Sequence, residues 1–279
     1  MTPAAPPTTD AATLAARLIR DGFVHVRRPH ASRHLAWEIA RGVFAATAPH
    51  DPLAVDMPEL EVVGEFTVPP PGGPRRDYQA LHIDFGLPVE SPRAVDVARF
   101  TALHVDAGQP PTSARTRLVR LRRLLSQRPW VDPDALAERL RRYGALQHGG
   151  EEYVEGILAR VIEAADASPS LPRAGEAGFL CGMEFASRAD ERAHAAERGL
   201  DLDRAEEEVH LRPGELLLFD NLATAHGRSG RRAPLELHQL CVGYRGLDVP
   251  RQRMLVRRVL ADAFSGGESA RPTREGSRP

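Results

Sequence analysis

The stretch Glu215-Leu216-Leu217-Leu218-Phe219-Asp220-Asn221-Leu222-Ala223-Thr224-Ala225-His226-Gly227-Arg228 decides the fold. It follows the tight-turn signal Arg212-Pro213-Gly214 and opens with an unbroken apolar run, the pattern of a strand buried on both faces. Asp220-Asn221 supplies turn chemistry, and a lone histidine followed by glycine comes next. Far upstream stands Tyr78-Gln79-Ala80-Leu81-His82-Ile83-Asp84-Phe85-Gly86, a second strand ending at Gly86 and Pro88. Side chains at i and i+2 of a strand share a face, so His82 and Asp84 project together, with Tyr78 and Ala80 beside them.

An imidazole and a carboxylate side by side at a strand end make two-thirds of a facial metal site. A non-haem Fe(II) centre takes two histidines and one carboxylate on one face. Valence is the reason: the open positions must accept a bidentate organic acid and then dioxygen. His226 fits as the missing imidazole, so His82, Asp84 and His226 are the expected ligands. A second His-x-Asp, His104-Val105-Asp106, sits on the next core strand where it runs into a Gly/Pro loop, and is assigned to structure. His25, His30, His34, His50, His148, His194 and His210 show no ligand spacing and go to structure or surface.

The chain has 279 residues, 42% of them hydrophobic, enough to bury a sizeable core. A formal net charge of −1 argues against a nucleic-acid partner, which calls for a clustered basic excess. No apolar run reaches the roughly 18 residues of a membrane helix, and MTPAAPPTTD lacks the basic start and apolar stretch of a secretory signal. Two distant cysteines, Cys181 and Cys241, exclude a disulfide scaffold and fit a reducing cytoplasm. Both read as buried small hydrophobes. All 37 basic residues are arginine, which we take as the codon bias of a GC-rich bacterial genome.

Outward from the two motifs, periodicity predicts helices from Asp10 to Arg20 and Ser32 to Ala45, with a strand over Phe23–Val26 between them. Further strands are expected over Val97–Val105 and Leu235–Tyr244. Helices are expected over Ser113–Gln127, Pro133–Tyr143 and Glu151–Ala165, and from Pro250 to about Phe264. The arginines of 117–128 are read as the solvated face of the first of these. Residues 187–209 read as a solvated, partly helical excursion, 69–74 as a loop, and 1–10 and 265–279 as loose ends. Strands at both ends with helices between suggest one α+β domain over 11–264, with a helical insertion at about 113–165.

The segments LHIDFG and RPGELLLFDNLATAHGRSG resemble the taurine dioxygenase and clavaminate synthase-like group of Fe(II)/2-oxoglutarate oxygenases. The N-terminal RDGFVHV strand and the insertion after the His-x-Asp strand are similar too. The resemblance implies a double-stranded β-helix (jelly roll) with flanking helices, and iron held by His82, Asp84 and His226. It also implies 2-oxoglutarate and dioxygen as co-substrates. Oxidative decarboxylation to succinate and CO2 would then drive hydroxylation, desaturation or cyclisation of a small metabolite, such as an amino acid or a natural-product intermediate.

That group usually anchors the distal carboxylate of 2-oxoglutarate with an arginine ten to fourteen residues after the second histidine. Here the window is Glu236-Leu237-His238-Gln239-Leu240, with none. Arg228, Arg231, Arg232 and Arg245 are the guanidiniums nearby. Arg245, then Arg232, is the expected anchor, aided by a hydroxyl from Thr112 or Ser113. Tyr78 is placed in the substrate pocket or in the core, and His238 is weighed equally as a core residue or an active-site donor. Two rival readings stay open: an iron oxidase that uses no 2-oxoglutarate, and a jelly-roll binding protein with a vestigial metal site.

Overall fold

In the computed structural model, residues 11–27, 32–50, 56–68, 78–82, 94–108, 114–120, 122–123, 187–197, 200–230, 237–248, 251, 254–255 and 258 are described. Gly22, at φ +77°, donates its N–H to the Leu18 carbonyl at 2.8 Å. A left-handed residue is what stops helix α1 (Ala11–Asp21) and turns the chain into β1 (Phe23–Val26). Ser32 caps α2 (Arg33–Thr47) by accepting the Leu35 N–H. Its buried positions Ala36, Trp37, Ala40, Val43, Phe44 and Thr47 recur at helical spacing and form one stripe.

Nine described strands build two antiparallel sheets. The larger has the order β1-β7-β4-β9-β2, with β2 over Glu61–Val68, β4 over Ala94–Val105, β7 over Leu216–Asp220 and β9 over Leu237–Asp248. The smaller has the order β3-β8-β5-β6, with β3 over Gln79–His82, β5 over Arg115–Arg120, β6 over Glu206–Val209 and β8 over Thr224–Ser229. Helices α1 and α2 cover one face of the larger sheet, where Phe44 stacks on Phe100 at 5.1 Å among Ala102, Leu216, Leu218, Leu240 and Val242. On its other face Leu103, Val105, Leu217 and Phe219 meet Leu118 and Val209 of the smaller sheet. The LLLF run is therefore buried on both faces, each side chain contributing about 1.5–3 kcal/mol of burial. Gly243 is obligatory where β9 crosses a bulge in β4, because a Cβ there would lie 1.9 Å from the Val97 carbonyl oxygen.

Helices α1 and α2 and strands β1, β4, β7 and β9 fall where periodicity predicts them, within a few residues. The smaller sheet brings corrections. Arg115–Arg120 is a strand, not the start of a helix, because its buried positions include a charged residue that a periodicity count assigns to solvent. Residues 187–209 hold α3 (Arg188–Glu197) and α4 (Leu202–Ala205) but end in β6, and Glu61–Val68 is a strand that periodicity does not announce. The helices expected over 133–143 and 151–165, the loop at 69–74, both loose ends and Cys181 lie outside the described residues. Of the terminal helix, Arg251, Met254, Leu255 and Arg258 are described, all helical. Among the described residues, no helix is long and apolar enough to cross a membrane.

Candidate metal site

The Asp220-Asn221 turn carries the chain from the larger sheet into the smaller. Asp220 Oδ1 accepts the Leu222 and Ala223 N–H groups at 3.1 and 3.0 Å, and its carboxylate pairs with the buried Arg99 guanidinium. Asn221 donates to the Ala98 carbonyl at 2.8 Å, and its own N–H reaches the Arg99 carbonyl. Both side chains of the turn are thus spent on β4, and β8 leaves at a fixed angle. Thr224 then bonds the Gly22 carbonyl at 3.3 Å, tying the start of β8 to the α1–β1 corner.

On β8 the side chains of Thr224, His226 and Arg228 share a face, and contact between Phe219 and the His226 ring (4.8 Å between centroids) shows that this face looks inward. β3 and β5 flank β8. His82 stands directly opposite His226, and Leu118 stands opposite it on the other side. The His82 and His226 rings lie 4.2 Å apart, tilted by 48°. One row further on, Arg228 has Gln79 and Thr116 as its register partners. The Gln79 amide nitrogen lies 3.3 Å from His82 Nε2. His226 is buried, while His82 is partly open.

Of the expected ligand set, the structure brings these two imidazoles together, and Asp84 lies outside the described residues. Among the described residues no three-membered His, Cys, Asp or Glu group could hold a metal. The donor chemistry nevertheless fits. Two imidazoles sharing one ion at right angles, with metal–nitrogen bonds near 2.1 Å, sit about 3 Å apart at their nitrogens. Ring centroids 4.2 Å apart, on paired strands, are compatible with that spacing.

The second His-x-Asp has the opposite chemistry. His104 and His238 are register partners on the face covered by α2, and both Nε2 atoms approach Asp106, at 3.6 and 2.9 Å. His238 Nδ1 faces the Arg33 guanidinium at 3.2 Å and so accepts, which leaves the proton on Nε2, donating to Asp106. His104 Nδ1 donates to the Glu215 carbonyl at 3.0 Å. The cluster is a hydrogen-bonded brace, and the active-site alternative for His238 is corrected by its position under α2.

Of the two readings for Tyr78, the pocket alternative does not fit its position. β3 places Gln79 opposite Arg228 and His82 opposite His226, three residues against two, so one residue bulges out. The bulge reverses the alternation, and Tyr78 lands on the outer face. There its hydroxyl donates to Glu191 Oε2 at 2.5 Å and accepts from Arg117 Nη1 at 3.1 Å. Arg117, expected on a solvated helix face, is fully buried between Glu191 (2.6 Å) and Glu206 (2.5 Å). Burial, then the hydrogen bond to Glu191, pushes the Tyr78 phenol well above its ordinary range. A phenol raised on folding lends its full stability below its unfolded value, about pH 10, and loses it as pH climbs beyond. Alkaline denaturation of Tyr78→Phe, followed from pH 9 upward, is therefore expected to fall off more shallowly than that of the wild type.

Arg245 does not face the histidine pair. Its guanidinium bonds Glu61 at 3.1 Å and the Val62 carbonyl at 2.5 Å, more than half exposed on the rim of the larger sheet. Arg232, Thr112 and Ser113 lie outside the described residues. Thr116 and Gln79 are polar residues that sequence reasoning passed over, and Arg228 was named among the nearby guanidiniums but not chosen as the anchor. The signal was the i+2 spacing of Arg228 from His226, available once His226 is placed on a strand.

No protein-family model matches this chain, and no curated protein matches it in sequence. Solved structures similar to it include the non-heme iron oxygenase OrfP, at 16% identity over 91% of this chain and 85% of that one, with a TM-score of 0.46. The PvcB protein of Pseudomonas aeruginosa is similar at 16% identity, 87% and 84% coverage and a TM-score of 0.41. A taurine dioxygenase from Burkholderia xenovorans is similar at 14% identity, 90% and 91% coverage and a TM-score of 0.41.

Proposed function

We propose that this chain is a mononuclear non-haem Fe(II) oxygenase that couples decarboxylation of 2-oxoglutarate to oxidation of a C–H bond. Its substrate would be a small molecule, an amino acid or a natural-product intermediate. One observation carries the reading: His82 and His226 meet across paired strands with their rings 4.2 Å apart on an inward face. Asp84, two residues after His82, would complete the ligand set. The two antiparallel sheets, with the chain crossing from one to the other at residues 220–223, would be the two faces of a jelly roll.

Bound iron would supply the open positions at which a 2-oxo acid and dioxygen are brought together. The remaining work falls to the chain. Phe219 and Leu118 flank His226 with apolar surface that keeps water from the reacting centre. β9 offers Gln239 and Cys241 on the face it shares with Leu237, and its Arg245 is engaged by Glu61 and the Val62 carbonyl. Arg228, on the His226 face with Thr116 beside it, is assigned the role of anchoring cation. Its planar fork would grip the distal carboxylate, with the Thr116 hydroxyl donating a further hydrogen bond.

Anaerobic addition of Fe(II) and then 2-oxoglutarate tests both parts. A visible metal-to-ligand charge-transfer band is expected for the wild type and for Arg245→Ala. Arg228→Ala should need roughly 10- to 100-fold more 2-oxoglutarate, the equivalent of about 1.5–3 kcal/mol for hydrogen bonds to a charged group. Iron uptake without the band would favour an oxidase that uses no 2-oxoglutarate. No uptake would favour a binding protein with a vestigial site.

A further inference from the structure

Behind the smaller sheet, on the face away from His226, four side chains from separate parts of the chain form a closed polar cluster. Tyr78 precedes β3, Arg117 comes from β5, Glu191 from α3 and Glu206 from β6. Arg117 and Glu191 are fully buried. Glu191 Oε2 takes the Tyr78 hydroxyl and the Arg117 guanidinium, and Glu206 takes Arg117 as well. Arg188 of α3 pairs with Glu206 and Glu208, docking the same helix a second time. A buried ion cluster is not needed to stabilise a sheet, since apolar residues of similar volume would serve as well or better. Its location calls for another reason.

The cluster sits directly on the β3 bulge. An extra residue between Gln79 and His82 removes a backbone donor from the ladder with β8. A buried amide left without an acceptor costs roughly 1–3 kcal/mol. The Leu81 N–H is the amide at the bulge, and Glu191 Oε1 accepts it at 2.8 Å in a buried setting. Regular pairing would satisfy the same amide, but it would delete the bulge and turn alternate side chains of β3 to the opposite face. The carboxylate thus decides which of two registers β3 adopts, and only the bulged one leaves Gln79 and His82 on the face of His226.

We propose that Glu191 is a positioning residue for the metal site: by accepting the Leu81 N–H it holds the bulge that presents His82 to His226. This role rests on the iron reading above. Helix α3, whose Arg188 and Glu191 pair with the outer face of the smaller sheet, is thereby part of the machinery that sets ligand geometry.

Two substitutions separate reach from charge. Glu191→Asp keeps the countercharge for Arg117 but withdraws the acceptor from Leu81 by one methylene. Glu191→Gln keeps the reach and an acceptor oxygen but gives up the charge. Anaerobic Fe(II) titration by calorimetry and thermal unfolding of the apoprotein are the readouts. E191D is expected to bind Fe(II) about tenfold more weakly, the lower end of what losing an outer-shell partner costs, with the smaller fall in Tm. E191Q is expected to bind within about threefold of the wild type, with the larger fall in Tm. An affinity that follows Tm in both variants, or an E191D affinity equal to the wild type, overturns the role. Wild-type protein that takes up no Fe(II) overturns the iron reading and this role with it. Should E191D fail to fold, Tyr78→Phe decides. It leaves Arg117 balanced but removes one of the bonds that orient the Glu191 carboxylate toward the Leu81 amide, so weaker Fe(II) binding is expected, and unchanged binding overturns the role.

Discussion

Alanine at position 226 is expected to weaken Fe(II) binding by more than about 100-fold, because losing an outer-shell partner alone costs 10- to 100-fold and His226 is read as a direct ligand. The protein should still fold. The His226 ring packs against Phe219 and beside Leu118, but the turn at 220–223 and the whole β8 ladder are held by groups the substitution leaves untouched. Anaerobic Fe(II) titration beside far-UV circular dichroism makes the comparison: native secondary structure with metal affinity sharply lowered. His104→Ala, which removes a histidine from the brace beneath α2, should leave iron affinity unchanged whatever it does to stability. Equal affinities for H226A and the wild type would remove the imidazole pair as the basis of the site.

The second large effect concerns stability. Arg117→Ala leaves Glu191 and Glu206 buried against each other without their shared cation. Removing one partner of a buried ion cluster typically costs about 3–5 kcal/mol, because the charges left behind remain desolvated. Against a total of about 5–15 kcal/mol for a folded domain, that is a large share of the stability. Urea denaturation should show a midpoint lowered accordingly. By contrast Arg123→Ala, which removes the exposed pair with Glu207, should cost at most about 1 kcal/mol. An Arg117→Ala loss of that same size would mean that water reaches the cluster and that Arg117 braces nothing.

The difference between these two arginines also explains where the sequence was legible. The LLLF run, Phe23–Val26 and the Ser32-capped helix announce themselves because their apolar residues point where burial puts them. In Arg115–Arg120 the decisive residue is the buried Arg117, and any count that sends charge to solvent misses the second buried face, which it shares with Val119. Leu121, Leu124 and Leu125 then complete a helical stripe that β5 does not honour. Glu61–Val68 is interrupted by Gly64, where the pairing with β9 shifts register, and reads as broken for that reason.

The candidate site divides in the same way. His82 and His226 were readable because each belongs to a local pattern, a His-x-Asp strand and a strand–turn–histidine–glycine run. The side of β3 on which Tyr78 falls was not, since a bulge is one extra residue and Ala80-Leu81 carries neither glycine nor proline to mark it. Glu191 was equally hidden. It lies in a stretch of alanine, arginine and acidic residues whose composition suggests solvent, and only its partners Arg117, Tyr78 and the Leu81 amide make its burial intelligible. Arg245 and Arg228 differ by their neighbours across the sheet, which a linear window after the second histidine does not contain.

Iron K-edge X-ray absorption of the anaerobically loaded protein reads the coordination sphere itself. Multiple scattering from two imidazoles per iron is the predicted result, falling to one in H226A. A first shell of oxygen alone, or the same imidazole count in both proteins, would contradict the assignment of His82 and His226 to a single metal ion.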